Sequence, residues 1–228
     1  MALSAVLVLG SAITLVTWAF ATRKERVTSY SVQGALTSVD LDMGDADVTV
    51  ARGRDDATVR IQYTDHSTFG HGATTSRTLV NRSLRVRSRC PTSVPDSCSV
   101  SYRVEVPDNV LVDVMTGGGR ISLRGYRGRA VLATRSGAID VEGFCGFLLQ
   151  ASTQSGDLDT STACAPERLT MRSSSGSVHA VVPAGRYQLD AESASGKRVV
   201  RGIAAVSEAP YAIQAFSSSG DVVVERRP

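Results

Sequence analysis

The residues able to do chemistry in this chain recur at fixed spacing. Six phrases place a hydroxyl three residues ahead of a glycine: Thr116-Gly-Gly-Gly119, Thr134-Arg-Ser-Gly137, Thr153-Gln-Ser-Gly156, Ser173-Ser-Ser-Gly176, Ser193-Ala-Ser-Gly196 and Ser217-Ser-Ser-Gly220. A row of serines invites a reading as nucleophiles, but a nucleophile needs a positioned base. No Gly-x-Ser-x-Gly elbow, His-Glu-x-x-His pair or phosphate-binding glycine loop supplies that setting. His179, the only histidine within the repeats, alternates onto an outer face beside Ser177. No enzyme activity and no cofactor are expected; cleavage of a polysaccharide through exposed carboxylates is the one catalytic route left open.

The other candidates are ligating or charged groups. Asp40, Asp42, Asp45 and Asp47 could suggest a calcium cluster, but the glycine and distal glutamate of a calcium loop are missing, and solvated carboxylates on a strand and turn are expected. His66 and His71 share a loop with no third ligand at zinc spacing. Asn81-Arg-Ser83 fits a glycosylation sequon, a pattern short enough to arise by chance. Arg85, Arg87 and Arg89 alternate with Leu84, Val86 and Ser88, so three guanidinium groups leave one face of a strand. Arg120, Arg124, Arg127, Arg129 and Arg135 follow. This basic face is the candidate contact for an anionic surface, its plain alternative being solvation. With 25 basic and 22 acidic residues the net charge is +3, too balanced for a dedicated nucleic-acid partner.

Four cysteines mark the compartment. Cys90 and Cys98 bracket a short proline-bearing loop between strands expected over 84–89 and 100–106. Cys145 follows Gly137 by 8 residues, and Cys164 follows Gly156 by 8. They occupy one column of adjacent repeats, where stacked strands lie about 4.8 Å apart. A disulfide tolerates roughly 4.4–6.8 Å between Cα atoms. Pairing Cys90 with Cys98 and Cys145 with Cys164 thus satisfies both geometry and locality, while no Cys-x-x-Cys or flanking histidine supports a metal. Two disulfides imply an oxidising, extracytoplasmic compartment.

The elements that position these groups follow from the same spacing. The six anchoring glycines are separated by 18, 19, 20, 20 and 24 residues, the period of a β-solenoid. Seven residues before them stand Val112, Ala130, Leu149, Leu169, Leu189 and Ile213; two after come Ile121, Ile139, Leu158, Val178, Arg198 and Val222. The columns five before and four after are also nearly all apolar, and those between are mostly polar. Each repeat is therefore two short strands sharing one inward face and joined at the glycine. The corner hydroxyls are expected to bond turn backbone and each other, and glycine to supply a positive φ. Arg198 stands in an inward column, for which a one-residue bulge turning Val199 inward is expected, with 202–210 leaving the stack as a loop. Upstream, Val39-Asp-Leu-Asp-Met43 and Val48-Thr-Val50 read as a weaker copy of the repeat with Ala46 in the glycine slot, followed by a strand over 57–63. Aromatics are 5% against 42% hydrophobic residues, which suits a thin all-β core of Val, Leu, Ile and Ala.

Residues 2–21 carry no charge and run into Arg23, Lys24 and Arg26. That length spans a bilayer as a helix, with Trp18 and Phe20 near one interface. Ala19-Phe20-Ala21 also has the form of a signal-peptidase site, without the usual basic residues ahead of it. The basic cluster alone would hold the body in the cytoplasm, and the cysteines outweigh it. The expected organisation is a transmembrane anchor or signal segment over 1–22, an N-terminal β region over 27–110 with the disulfide loop, and a repeat solenoid over 111–228 continuous with it as one domain. The expected location is the cell membrane, single-pass, with the body extracytoplasmic.

The Thr/Ser-x-Ser-Gly-x-Val repeats, Leu84-Arg-Val-Arg-Ser-Arg-Cys90-Pro, Cys98-Ser-Val-Ser-Tyr-Arg-Val-Glu-Val-Pro107 and Val110-Leu-Val-Asp-Val together resemble the actinobacterial putative-adhesin, or toast-rack, β-strand-repeat family. The resemblance covers residues 27–227. It implies a membrane-anchored or exported β-solenoid with no established enzymatic activity, and related domains are also linked with envelope-stress sensing. The expected function is an adhesion or ligand-binding module of the cell envelope, meeting a cell-wall polymer, an anionic lipid or an envelope protein. The alternative is a structural or sensory domain in an envelope-stress system, which is expected to need a membrane partner because so little chain lies beyond the anchor.

Overall fold

A computed structural model describes residues 24–55, 57–67, 72–91 and 98–228. The segment expected to cross the membrane and His71 lie outside these residues. Among the described residues the elements are all strands, and no helix is long and apolar enough to cross a membrane.

Two ten-stranded sheets enclose one core. The central repeats each give one strand to each sheet: β8 (Leu111–Thr116) and β9 (Ile121–Arg124), β10 (Arg129–Thr134) and β11 (Ile139–Phe144), β12 (Leu148–Thr153) and β13 (Leu158–Thr162), β14 (Arg168–Ser173) and β15 (Val178–Val182). The even-numbered strands β8 to β14 lie in the first sheet and their partners in the second. Successive rungs are parallel and in register, with Ala130 between Val112 and Leu149 and Ile139 between Ile121 and Leu158. Register sets the inward columns on top of one another, so Val112, Val114, Leu132, Leu149, Ile121, Leu123, Ile139 and Leu158 are buried.

The stack departs from chain order at both ends. Next to β14 and β15 come β19 (Tyr211–Ser217) and β20 (Val222–Arg226), not the repeat that follows in sequence. That repeat, β16 (Arg186–Ser193) and β17 (Arg198–Arg201), lies one rung further out, with β18 (Ala204–Ala205) on its margin. The last repeat is thus threaded back between its two predecessors. At the opposite end β2 (Ser38–Asp42) and β3 (Asp47–Arg52) sit directly against β8 and β9, while β6 (Ser83–Arg89) and β7 (Cys98–Val106) lie outside them.

This order corrects the expectation for Arg198. The pairing of β17 with β20 runs Arg198–Val222, Val199–Val223, Val200–Val224 without a bulge. Arg198 belongs to the terminal rung, where no further strand covers the inward face, so its charge stays exposed while Nε donates to the Ala191 carbonyl at 2.6 Å. The connection over 202–210 crosses that open end, with Ile203 packed against the core and the Val206 amide donating to the Tyr187 carbonyl.

Two strands unforeseen in the sequence, β1 (Lys24–Gln33) and β5 (Thr74–Val80), help close the other end. β4 (Thr58–Ser67), expected over 57–63, pairs antiparallel with β7 in the second sheet, β1 pairs antiparallel with β4, and β5 forms a hairpin with β6. Its turn holds Asn81 and Arg82 at φ 49° and 66°, the backbone of a type I′ hairpin. Both disulfides are present. Cys90–Cys98 closes the β6–β7 connection with Cα atoms 5.7 Å apart, and Cys145–Cys164 ties neighbouring corners at 4.7 Å.

Candidate functional site

The Ser–Gly corner is a backbone device. Thr153 Oγ1 accepts from the Gly156 amide at 3.0 Å and donates to the Gly137 carbonyl at 3.2 Å. Ser173 does the same between Gly176, at 2.8 Å, and Gly156, at 3.0 Å. Ser217 donates to Gly176 and Ser193 to Gly220, so the ladder follows the spatial order of rungs rather than the chain. At its foot Thr116 donates to the Ala46 carbonyl, which places Ala46 in the glycine slot as expected. Each of these hydroxyls is thus committed to two backbone groups at its corner.

The reason for the glycines differs from the expected one. Positive φ is found at Gly34, Gly44, Gly125, Gly143 and Gly202, and at none of the six anchors. A Cβ on Gly137, Gly156 or Gly176 would instead overlap the carbonyl oxygen of the glycine in the preceding rung. These glycines let corner backbones approach closely enough for the hydroxyl ladder to form.

Three of the acids first considered for calcium, Asp40, Asp42 and Asp47, are engaged by the protein's own donors. Asp47 accepts from the Arg120 amide at 2.8 Å, as Asp157 does from Ser177 and Asp221 from Lys197. Asp40 and Asp42 hold the predicted basic face: Arg85 lies 2.7 Å from Asp40, and Arg89 and Arg87 lie 2.6 Å and 3.7 Å from Asp42. Burial first, and then Asp40 opposite it, raises the Asp113 carboxyl above its ordinary range, so this end of the sheet is as rich in acid as in base. His66 stands 3.8 Å from Glu25. On the outer face of the second sheet, His179 lies between Asp159, at 3.4 Å, and Glu225, at 3.3 Å, with Arg201 beyond at 3.4 Å from Glu225. That ladder joins four rungs: spacing from the anchoring glycines already aligns Asp159 with His179 and Arg201 with Glu225, while His179 meets Glu225 only because β20 lies beside β15.

Two outer-face features are not neutralised in this way. Arg120 and Arg124 pair with Asp140 and Glu142, but among the described residues Arg127, Arg129 and Arg168 enter no ion pair. All three are exposed at the corner where the chain re-enters the first sheet. Register sets Leu111, Arg129, Leu148 and Arg168 in one column, and Phe147 beside it is 55% exposed.

The second feature is a groove of about 500 Å3 on the outer face of the same sheet, lined by residues that include Ser152, Arg172, Asp190, Glu192, Gln214 and Phe216. The spacing pattern gave no weight to these residues. The one available signal was Phe216, the aromatic side chain in its outward column of Met115, Ala133, Ser152, Arg172 and Glu192.

Comparison with solved structures returns matches at low identity. A "putative cell adhesion protein" from Clostridium sporogenes is 8% identical, the match covering 90% of this chain and 100% of that one at a TM-score of 0.49. A "putative adhesin" from Bacteroides fragilis is 10% identical over 90% of this chain and 97% of that one, at 0.47. A "putative lipid binding protein" from Parabacteroides distasonis is 8% identical over 89% and 97%, at 0.34. No curated protein matches the chain. The family described as Toastrack DUF4097 matches residues 110–225, the span of every hydroxyl–glycine corner described above. On that match over half its length, the chain belongs to the Toastrack DUF4097 family.

Proposed function

We propose that the protein is a non-catalytic binding module of the cell envelope, anchored through residues 2–21 with its body extracytoplasmic, and that it meets an anionic envelope polymer through Arg127, Arg129 and Arg168. The contrast in charge pairing carries this reading. Arg85, Arg87 and Arg89 face carboxylates and offer little net field, whereas the three corner arginines, with Glu167 the acid beside them in sequence, keep a net positive charge outside any ion pair among the described residues, next to exposed Phe147 and Leu111. The two disulfides support the compartment. β1 begins directly after the apolar segment and lies at the end of the stack opposite β16 and β17, which is compatible with an anchor at that end.

Retention on isolated cell walls and on immobilised heparin tests the contact. Replacing Arg127, Arg129 and Arg168 by Glu is expected to weaken retention at least about tenfold, and wild-type binding is expected to fall as salt screens the charges. Replacing Arg85, Arg87 and Arg89 by Gln is expected to change it far less. Unchanged retention in the first triple variant would reject the corner as the contact.

A further inference from the structure

The groove on the first sheet exists because the last repeat is threaded back. β19 lies between β14 and β16, so one outward column reads Arg172, Phe216, Glu192 and its neighbour reads Thr170, Gln214, Asp190. Adjacent strands lie about 4.8 Å apart, so the backbones that carry Arg172 and Glu192 are about 10 Å apart with the aromatic side chain between them. Elsewhere facing charges meet and neutralise, as Arg85 does with Asp40 and Arg120 with Asp140. Here, among the described residues, Arg172, Asp190, Glu192 and Gln214 take part in neither an ion pair nor a side-chain hydrogen bond, and all four are exposed. The result is an exposed aromatic flanked by uncommitted donors and acceptors in a ligand-sized depression.

We infer that this groove binds a hydroxyl-rich glycan laid along the stack axis. One pyranose stacks its C–H face on Phe216, Arg172 donates to its hydroxyls on one side, Asp190 and Glu192 accept on the other, and Gln214 does either. An aromatic ring with planar polar groups at its margin suits a sugar, which is apolar on its face and polar on its edge. A peptide strand finds nothing here to pair with, because β14, β19 and β16 are hydrogen-bonded to one another within the sheet. Two carboxylates against one guanidinium disfavour a nucleic acid. Beyond Arg172 the same column continues through Ser152 and Ala133 to Met115, uncharged residues that leave a track for further sugars.

This inference deepens the binding-module reading but uses the opposite ends of the first-sheet strands from the arginine corner, so the two fail separately. The full chain in a sugar-free detergent is titrated calorimetrically with the neutral oligosaccharides cellohexaose and chitohexaose. Saturable binding of at least one is expected, insensitive to salt and unchanged by charge reversal of Arg127, Arg129 and Arg168. Phe216→Ala is expected to weaken it at least about tenfold, and Asp190→Asn with Glu192→Gln to weaken it comparably without removing any packed side chain. No saturable binding of either sugar at millimolar concentration, or wild-type affinity in Phe216→Ala, would overturn the assignment.

Discussion

Gly156→Ala is expected to destabilise the protein by about 3 kcal/mol, the upper end of the cost of inserting a methyl group into a packed interior. The new Cβ meets the Gly137 carbonyl oxygen, which also receives the Thr153 hydroxyl, so the rungs must part and a buried hydrogen bond must lengthen. A fall in melting temperature of about 6–12 °C should accompany it for a domain of this size. Gly125→Ala is the control. Gly125 has φ +60° with nothing within 4 Å of an added Cβ, so only the left-handed backbone is penalised, at about 1–2 kcal/mol. Thermal melts of the two variants separate close approach from backbone conformation, and equal losses would contradict the ladder.

Removing the Cys145–Cys164 bridge by paired alanine substitution is expected to cost about 3 kcal/mol on the loop-closure account, for a separation of 19 residues. Removing Cys90–Cys98, which closes a separation of 8, should cost slightly less, about 2.6 kcal/mol. The first bridge joins corners that parallel pairing already holds, so its loss should lower the melting temperature without changing the strand order. Mass spectrometry of alkylated, unfolded, non-reduced protein should find no free thiol. Two or more labelled cysteines would remove the argument for an oxidising compartment.

Much of the architecture was legible because it depends on local periodicity. Alternation fixed which side chains face inward, and the offset of Cys145 and Cys164 from their glycines placed them on neighbouring rungs. What spacing cannot report is the order of rungs, since a parallel in-register strand accepts either neighbour with the same column pattern. Arg198 was the available clue: a charge in an inward column is tolerated on the terminal rung, where the fifth repeat in sequence indeed lies. Glycine was ambiguous because a residue without a Cβ serves both positive φ and close approach. The carboxylates that face Arg85, Arg87 and Arg89 were hidden for a related reason, since Arg85 and Asp40 are 45 residues apart and meet only when β6 pairs with β2. The groove was invisible for the same cause, as Arg172, Phe216 and Glu192 become neighbours only through the threading of β19.

That threading underlies both the terminal rung and the groove, and paired cysteines test it directly. In the structure Arg172 faces Phe216 across adjacent strands, while Glu192 lies one strand further out. Under mild oxidation, Arg172→Cys with Phe216→Cys should form a new disulfide, because adjacent strands fall within bonding range. Arg172→Cys with Glu192→Cys, about 10 Å apart, should not. Efficient cross-linking of the second pair in place of the first would mean that the repeats stack in chain order, and neither the threaded rung nor the groove would stand.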